Sequence, residues 1–124
     1  MKRTLLAALL IIGVLVTAVA ALAFQRRQCP STMPTRLIVH ERGRITDEQD
    51  FPQNVREGPG TRYDPPIGQI PVGGIFYVLD GPECSPRYAW FQVEYRDENG
   101  ELLVGWIAEG ADDVYFAETY PPGE

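Results

Sequence analysis

Catalysis needs a nucleophile, a base or a set of metal ligands, and this 124-residue chain is thinly supplied with them. It holds one histidine, His40, and two cysteines, Cys29 and Cys84. A cysteine hydrolase would need His40 beside one thiol, with a third group to orient the imidazole. A disulfide between the two cysteines would leave no nucleophile. Glu109 with Asp112 or Asp113 has the makings of a general acid and base. With 17 acidic residues in the chain, such neighbours are also expected by chance. Asp97-Glu98-Asn99-Gly100-Glu101 has the composition of a calcium loop without its length or ligand spacing, and reads as a hairpin turn. No serine lies in a Gly-x-Ser-x-Gly phrase, and no glycine-rich phosphate loop follows a strand. Cysteine and histidine are too few for a structural zinc site. The pattern points away from catalysis and calls for no metal or cofactor.

Binding chemistry is better represented. Trp90 alternates with Phe91, and Trp106 with Ile107, so in an extended strand one of each pair faces away from the core. Tyr63, Tyr88 and Tyr115 lie in or beside turns. Flat rings in such places either stack on a ligand or cover the ends of a small domain. Arg56 and Arg62 flank a Gly-Pro-Gly bend, where they can grip a carboxylate through paired hydrogen bonds. The plainer alternative is an ion pair with Glu57 or Asp64.

The elements that would carry these residues begin with an export signal. Leu5 to Phe24 is a run of 20 uncharged residues, preceded by Lys2 and Arg3 and followed by Arg26 and Arg27. It is long enough for a membrane-spanning helix and contains the short core of a signal peptide. Ala18-Val19-Ala20 and Ala21-Leu22-Ala23 both suit a signal peptidase, so residues 1–24 read as a cleaved signal or an uncleaved anchor. Basic residues flank both ends, so charge does not orient the segment. Signal-like N-termini send the following domain out. Two distant cysteines in a small exported domain favour a disulfide, with two free thiols as the alternative. A bridge closing that loop is worth about 4 kcal/mol. From Gln25 onward nine arginines face 17 acidic residues, a net charge of −8 (9 − 17). Such a surface repels phosphate backbones and argues against nucleic acid as a partner.

Residues 25–34, with Pro30 and Pro34, form a linker. Residues 35–120 then read as one all-β domain, with a short tail at 121–124. Strand signals fall on "TRLIVHERGRIT" (Thr35–Thr46), "NVR", "IGQIP", "IFYVLD" (Ile75–Asp80), "YAWFQVEY" (Tyr88–Tyr95), "LLVGWIA" (Leu102–Ala108) and "VYFAE". The loops between them include the stiff "EGPGTRYDPP", a second at "GPECSPR", and an Asn-Gly hairpin in "RDENGE". Five or more short strands of this kind make a small barrel or sandwich.

"NVREGPGTRY", then "IGQIPVGG", "YAWFQVEY", "GWIAEG" and "VYF", together resemble the bacterial Src-homology-3-like domain, from Asn54 to about Thr119. The resemblance implies a small, partly open, five-stranded β-barrel without catalytic activity. It implies binding to cell-wall peptidoglycan, to a related glycan or peptide outside the cell, or to a protein partner. It also likens "RLIVHERGRIT" to the extra N-terminal strand of an exported single-domain subgroup, in which a cysteine before that strand pairs with one in a "GPEC" loop. The long loop after "NVR" would form one wall of a ligand groove, lined by some of Tyr63, Tyr88, Trp90, Trp106 and Tyr115.

Overall fold

A computed structural model describes residues 27–122. The expected N-terminal export helix lies outside the described residues. Within them the chain is all-β, with no helix. Five antiparallel strands form the main sheet. They are β1 (Arg42–Ile45), β4 (Ile75–Cys84), β5 (Ala89–Arg96), β6 (Leu102–Ala108) and β9 (Ala117–Thr119), in the order β6-β5-β4-β1-β9. Two small pairs accompany it: β2 (Gln53–Val55) with β3 (Gly68–Ile70), and β7 (Gly110–Ala111) with β8 (Val114–Tyr115).

The β5–β6 hairpin follows directly from local sequence. Arg96 pairs with Leu102 across a turn in which the Asp97 carboxylate accepts the Asn99 and Glu101 N–H groups, each at 2.9 Å. Asp97 therefore holds a turn, as its spacing suggested. Alternation along β5 puts Phe91 and Val93 into the core. Val55 and Ile70 come in from the small β2–β3 sheet, and Phe76, Val78 and Ile107 from the large one. Each such side chain, fully buried, contributes about 1.5–3 kcal/mol.

The two sheets are joined at one point. Arg56 N–H donates to the Trp106 carbonyl at 2.9 Å, and Trp106 N–H donates back at 2.7 Å. Gly105 makes this possible, because a Cβ there would lie 2.6 Å from both the Arg56 oxygen and a Val55 methyl. Among the described residues the hydrogen bonding does not run round into a closed barrel; β9 ends the large sheet, and a single bridge links the β2–β3 pair to it at β6.

Three expectations are corrected. Residues 35–39 are not strand; β1 begins only at Arg42, after a turn at His40 with φ of 69°. The β-branched run is extended, but side chains, not a neighbouring strand, take its N–H groups: Gln28 Oε1 accepts from Thr35, and the Glu109 carboxylate from Arg36 and Leu37. Next, "GPEC" is not loop. β4 continues through it to Cys84, with register shifts around Asp80–Glu83 where Gly81 (φ 127°) and Pro82 interrupt the ladder. A bulge absorbs the missing proline N–H, so pairing resumes at Glu83–Trp90. Finally, "VYFAE" breaks at Phe116 into β8 and β9, because the Glu109 carbonyl captures the Phe116 and Ala117 N–H groups. Cys29 and Cys84 form a disulfide that ties the N-terminal arm to the end of β4.

Candidate functional site

Two turn-rich segments face one another. The first is the long loop between β2 and β3. Its bend is filled by the Tyr63 ring lying on Gly58, where a Cβ would meet ring carbon at 2.4 Å. Arg56 holds the loop from below. Its Nη1 donates to the Tyr63 carbonyl at 3.0 Å and reaches the Thr61 carbonyl and the Asp64 carboxylate, each at 3.5 Å. The Arg62 guanidinium lies 5.0 Å over the Tyr63 ring and donates to its hydroxyl at 3.0 Å. The second segment is the tight turn 85–88, all that remains of the expected second loop, closed by Ser85 N–H donating to the Tyr88 carbonyl at 2.9 Å. Tyr88 packs edge-on against Trp90, centroids 5.4 Å apart, and the Trp90 indole N–H donates to Ser85 Oγ at 3.0 Å.

Between the segments runs a groove of roughly 400 Å³, with Pro59, Gly60, Thr61 and Arg62 on one wall and residues 85–88 on the other. A second hollow of about 150 Å³ continues it past Thr61 and Tyr88, over Trp90 and Arg56, to Gln53, Asn54 and Phe116. Phe116 is backed by the exposed Phe51, edge-on at 6.3 Å. The groove thus offers ring faces, amide and hydroxyl groups, and two exposed arginines, Arg62 and Arg87, on opposite walls. Arg87 stands 3.9 Å from Asp112, a solvated pair that holds it only weakly. The arrangement can stack on a flat ligand face and pair with a carboxylate.

The residues singled out from the sequence divide sharply. Arg56, Arg62, Tyr88 and Trp90 meet at the groove. Trp90 faces away from the core, as alternation required, yet it is 2% exposed, because Tyr88 and Ser85 cover it. It is the groove's floor and not a free stacking surface. Arg56 is committed to loop carbonyls, beyond the ion pair considered for it. Tyr63 shapes the loop from inside. Trp106 sits on the outer face of β6 opposite Gln92, away from the groove. Tyr115 is buried under the arm, its hydroxyl donating to the Pro34 carbonyl at 2.5 Å and its ring carrying the Arg36 guanidinium at 3.9 Å. Sequence reasoning missed Arg87, Phe116 and Phe51. Their signal is weak: Arg87 is one of two basic residues after Asp80, and nothing local pairs the phenylalanines.

Glu109 is neither exposed nor paired with Asp112. It is 2% exposed, and its Oε2 accepts the Arg36 N–H at 2.9 Å and the Leu37 N–H at 2.8 Å. This carboxylate is the partner of the Arg36 and Leu37 N–H groups in the extended arm. Burial pushes its pKa up, against the two N–H groups and the charge of Arg36. Burial also pushes the Tyr115 phenol up, with Arg36 opposing.

No family model, curated protein or solved structure matches the chain.

Proposed function

We propose that this chain is a non-catalytic extracytoplasmic binding module, a bacterial Src-homology-3-like domain that holds cell-wall peptidoglycan or a related glycan or peptide in the groove between its long loop and the 85–88 turn. One observation carries the reading. In a chain with net charge −6, the groove collects Arg62 and Arg87 on opposite walls beside the Tyr88 ring. A glycan–peptide polymer offers sugar faces to the ring and carboxylates to the arginines. The barrel assignment is supported by the curl of β2–β3 onto β6 at the Arg56–Trp106 bridge and by the order of short antiparallel strands. The disulfide fits an oxidising compartment. Secretion or anchoring by residues 1–24 completes the reading.

The test is co-sedimentation of Gln25–Glu124 with purified sacculi. Tyr88→Ala is the informative variant, because removal of the buried Trp90 would confound binding with stability. Binding is expected to fall about fivefold or more on loss of one stacking ring and its neighbouring contacts. A folded domain that stays wholly in the supernatant sinks the wall-binding reading.

A second reading, an adaptor for another protein at the outer membrane face, is favoured by a separate observation. Leu102 and Val104 are 51% and 40% exposed on the strand that carries Trp106, with Ile67 exposed near Gly105. It predicts capture of one specific partner, abolished by Val104→Glu and indifferent to Tyr88→Ala.

A further inference from the structure

The large sheet buries one face and leaves part of the other open. Phe76, Val93 and Leu103 turn to the core, so alternation sends their neighbours Ile75, Tyr77, Glu94, Leu102 and Val104 to the opposite face. Ile75, Leu102 and Val104 are exposed there. A hollow of about 270 Å³ lies on this face, with Ile75, Tyr77 and Leu102 as apolar walls. Arg42 and Arg96 also line it, against one carboxylate, Glu94, a net charge of +1 (2 − 1). Arg44, paired with Ile75 in the register, is already neutralised by Glu118. Arg42 rests on the Tyr120 ring at 5.0 Å, and Arg96 donates to the Gly100 carbonyl at 2.7 Å. Neither forms an ion pair among the described residues. A positive, apolar hollow in a domain of net charge −8 is a place for an acidic, apolar occupant.

The chain itself carries a segment of that chemistry. After β1, Phe51 is 48% exposed, and the exposed Glu48 and Asp50 stand beside it. Neither carboxylate forms an ion pair among the described residues. Ile67 and Val72, also exposed, have no charged residue within two positions. A benzyl side chain flanked by carboxylates suits apolar walls rimmed by guanidinium groups. In its own copy the Phe51 ring rests on Phe116 and does not line the hollow. The occupant therefore comes from a second copy. The two surfaces are also neighbours, since β1 carries Arg42 beside the hollow and ends at Ile45, just before the acidic segment. Two copies about a twofold axis can thus each offer Phe51 to the other's hollow.

We propose that this sheet face is a self-association surface, on which a second copy of the chain seats Phe51 in the hollow and sets Glu48 and Asp50 against Arg42 and Arg96. It uses the face considered above for an adaptor, with a different occupant, and is independent of the groove.

The test is sedimentation equilibrium of the full-length chain in density-matched detergent micelles, over protein concentrations up to about 1 mM. The wild type is expected to dimerise with Kd on the order of 10–100 µM at low salt, and more weakly as salt screens the arginines. Phe51→Ser removes the inserted ring and keeps the hollow. Leu102→Glu spoils the hollow and keeps the ring. Each variant alone has no intact contact and is expected to associate about a hundredfold more weakly than the wild type. A mixture of the two restores one contact and is expected to associate about tenfold more tightly than either alone. If either variant fails to fold, Asp50→Lys and Arg96→Glu remove the same two surfaces by charge. A wild type that stays monomeric, dimers that survive both variants, or a mixture no tighter than its components would each overturn the proposal. A monomer that captures a different protein through Val104 would also overturn it, and would leave the adaptor reading standing.

Discussion

Two stretches of this molecule lack regular structure, and they are held in opposite ways. The arm before β1 is fixed by buried contacts: a disulfide at Cys29, the Glu109 carboxylate on the Arg36 and Leu37 N–H groups, and the Tyr115 hydroxyl on Pro34. The long loop between β2 and β3 is fixed by contacts nearer the surface: Arg56 to the Tyr63 carbonyl, Arg62 to the Tyr63 hydroxyl, and a ring laid on Gly58. Hydrogen bonds shielded from water cost more to break than exposed ones. The arm should therefore open only with the whole domain, whereas the loop can adjust to a ligand while the core stays intact. Position follows the same division. The loop forms a groove wall, while the arm stands behind the 85–88 turn and supports it.

The sharpest way to break this comparison is to cut the arm's covalent tie. Cys84→Ser, or full reduction, is expected to cost about 4 kcal/mol if the bridge acts on the unfolded chain, and urea denaturation measures it. Hydrogen exchange should then show the arm and the 85–88 turn loosening together, with the long loop little changed. Loosening of the long loop first would mean that the two regions are not separately held.

Glu109 comes next. Glu109→Ala strands two backbone N–H groups in a buried place and is expected to cost about 2–4 kcal/mol. The pH dependence sharpens the point. Because burial raises this pKa in the folded state, the folded protein binds the Glu109 proton more tightly than the unfolded chain does. The group's contribution is then most favourable in acid. Stability is lost as pH climbs from the ordinary carboxylate range through the raised folded value. Glu109→Gln, which does not titrate, should therefore gain on the wild type over that window in urea denaturations at stepped pH. A difference that runs the other way would mean that the two N–H bonds outweigh burial.

What the sequence disclosed and what it concealed follow the same line between local and distant partners. The β5–β6 hairpin was legible because its signal is contained in neighbouring residues: alternation from Phe91 to Tyr95, then Asn-Gly, then Leu102 to Ala108. Of the residues singled out, Tyr88, Trp90, Arg56 and Arg62 lie at or beside turns in the two facing segments, and the structure brings them to one groove. The rest depended on partners far along the chain. Residues 35–39 look like a strand because β-branched residues favour extended backbone, but an extended backbone does not say what will pair with it. Here the partner is a side chain more than 70 residues away. Nothing around Glu109 separates it from the other acids of the surface. Trp90 has the parity of an exposed residue and is buried by Tyr88 from the adjoining turn. Pro82 reads as the end of a strand, and only the bulge opposite β5 lets β4 continue.

Arg56→Ala gives the smallest expected change in stability and the closest test of the loop's independence. The side chain is 15% exposed, and its firm bond is one donation to the Tyr63 carbonyl, while the reach to Asp64 at 3.5 Å is long and solvated. Its loss should cost about 1 kcal/mol globally, because loop carbonyls released near the surface are taken up by water. The local effect should be larger. Amide exchange at Gly60 and Tyr63, whose N–H groups close the bend onto Gly58 and Gly60 carbonyls, should quicken, while Val93 and Ile107 in the core stay protected. A global loss of 3 kcal/mol or more, on the scale of a broken buried network, would show that the loop is part of the cooperative core. The contrast between a locked arm and an adaptable groove wall would then fail.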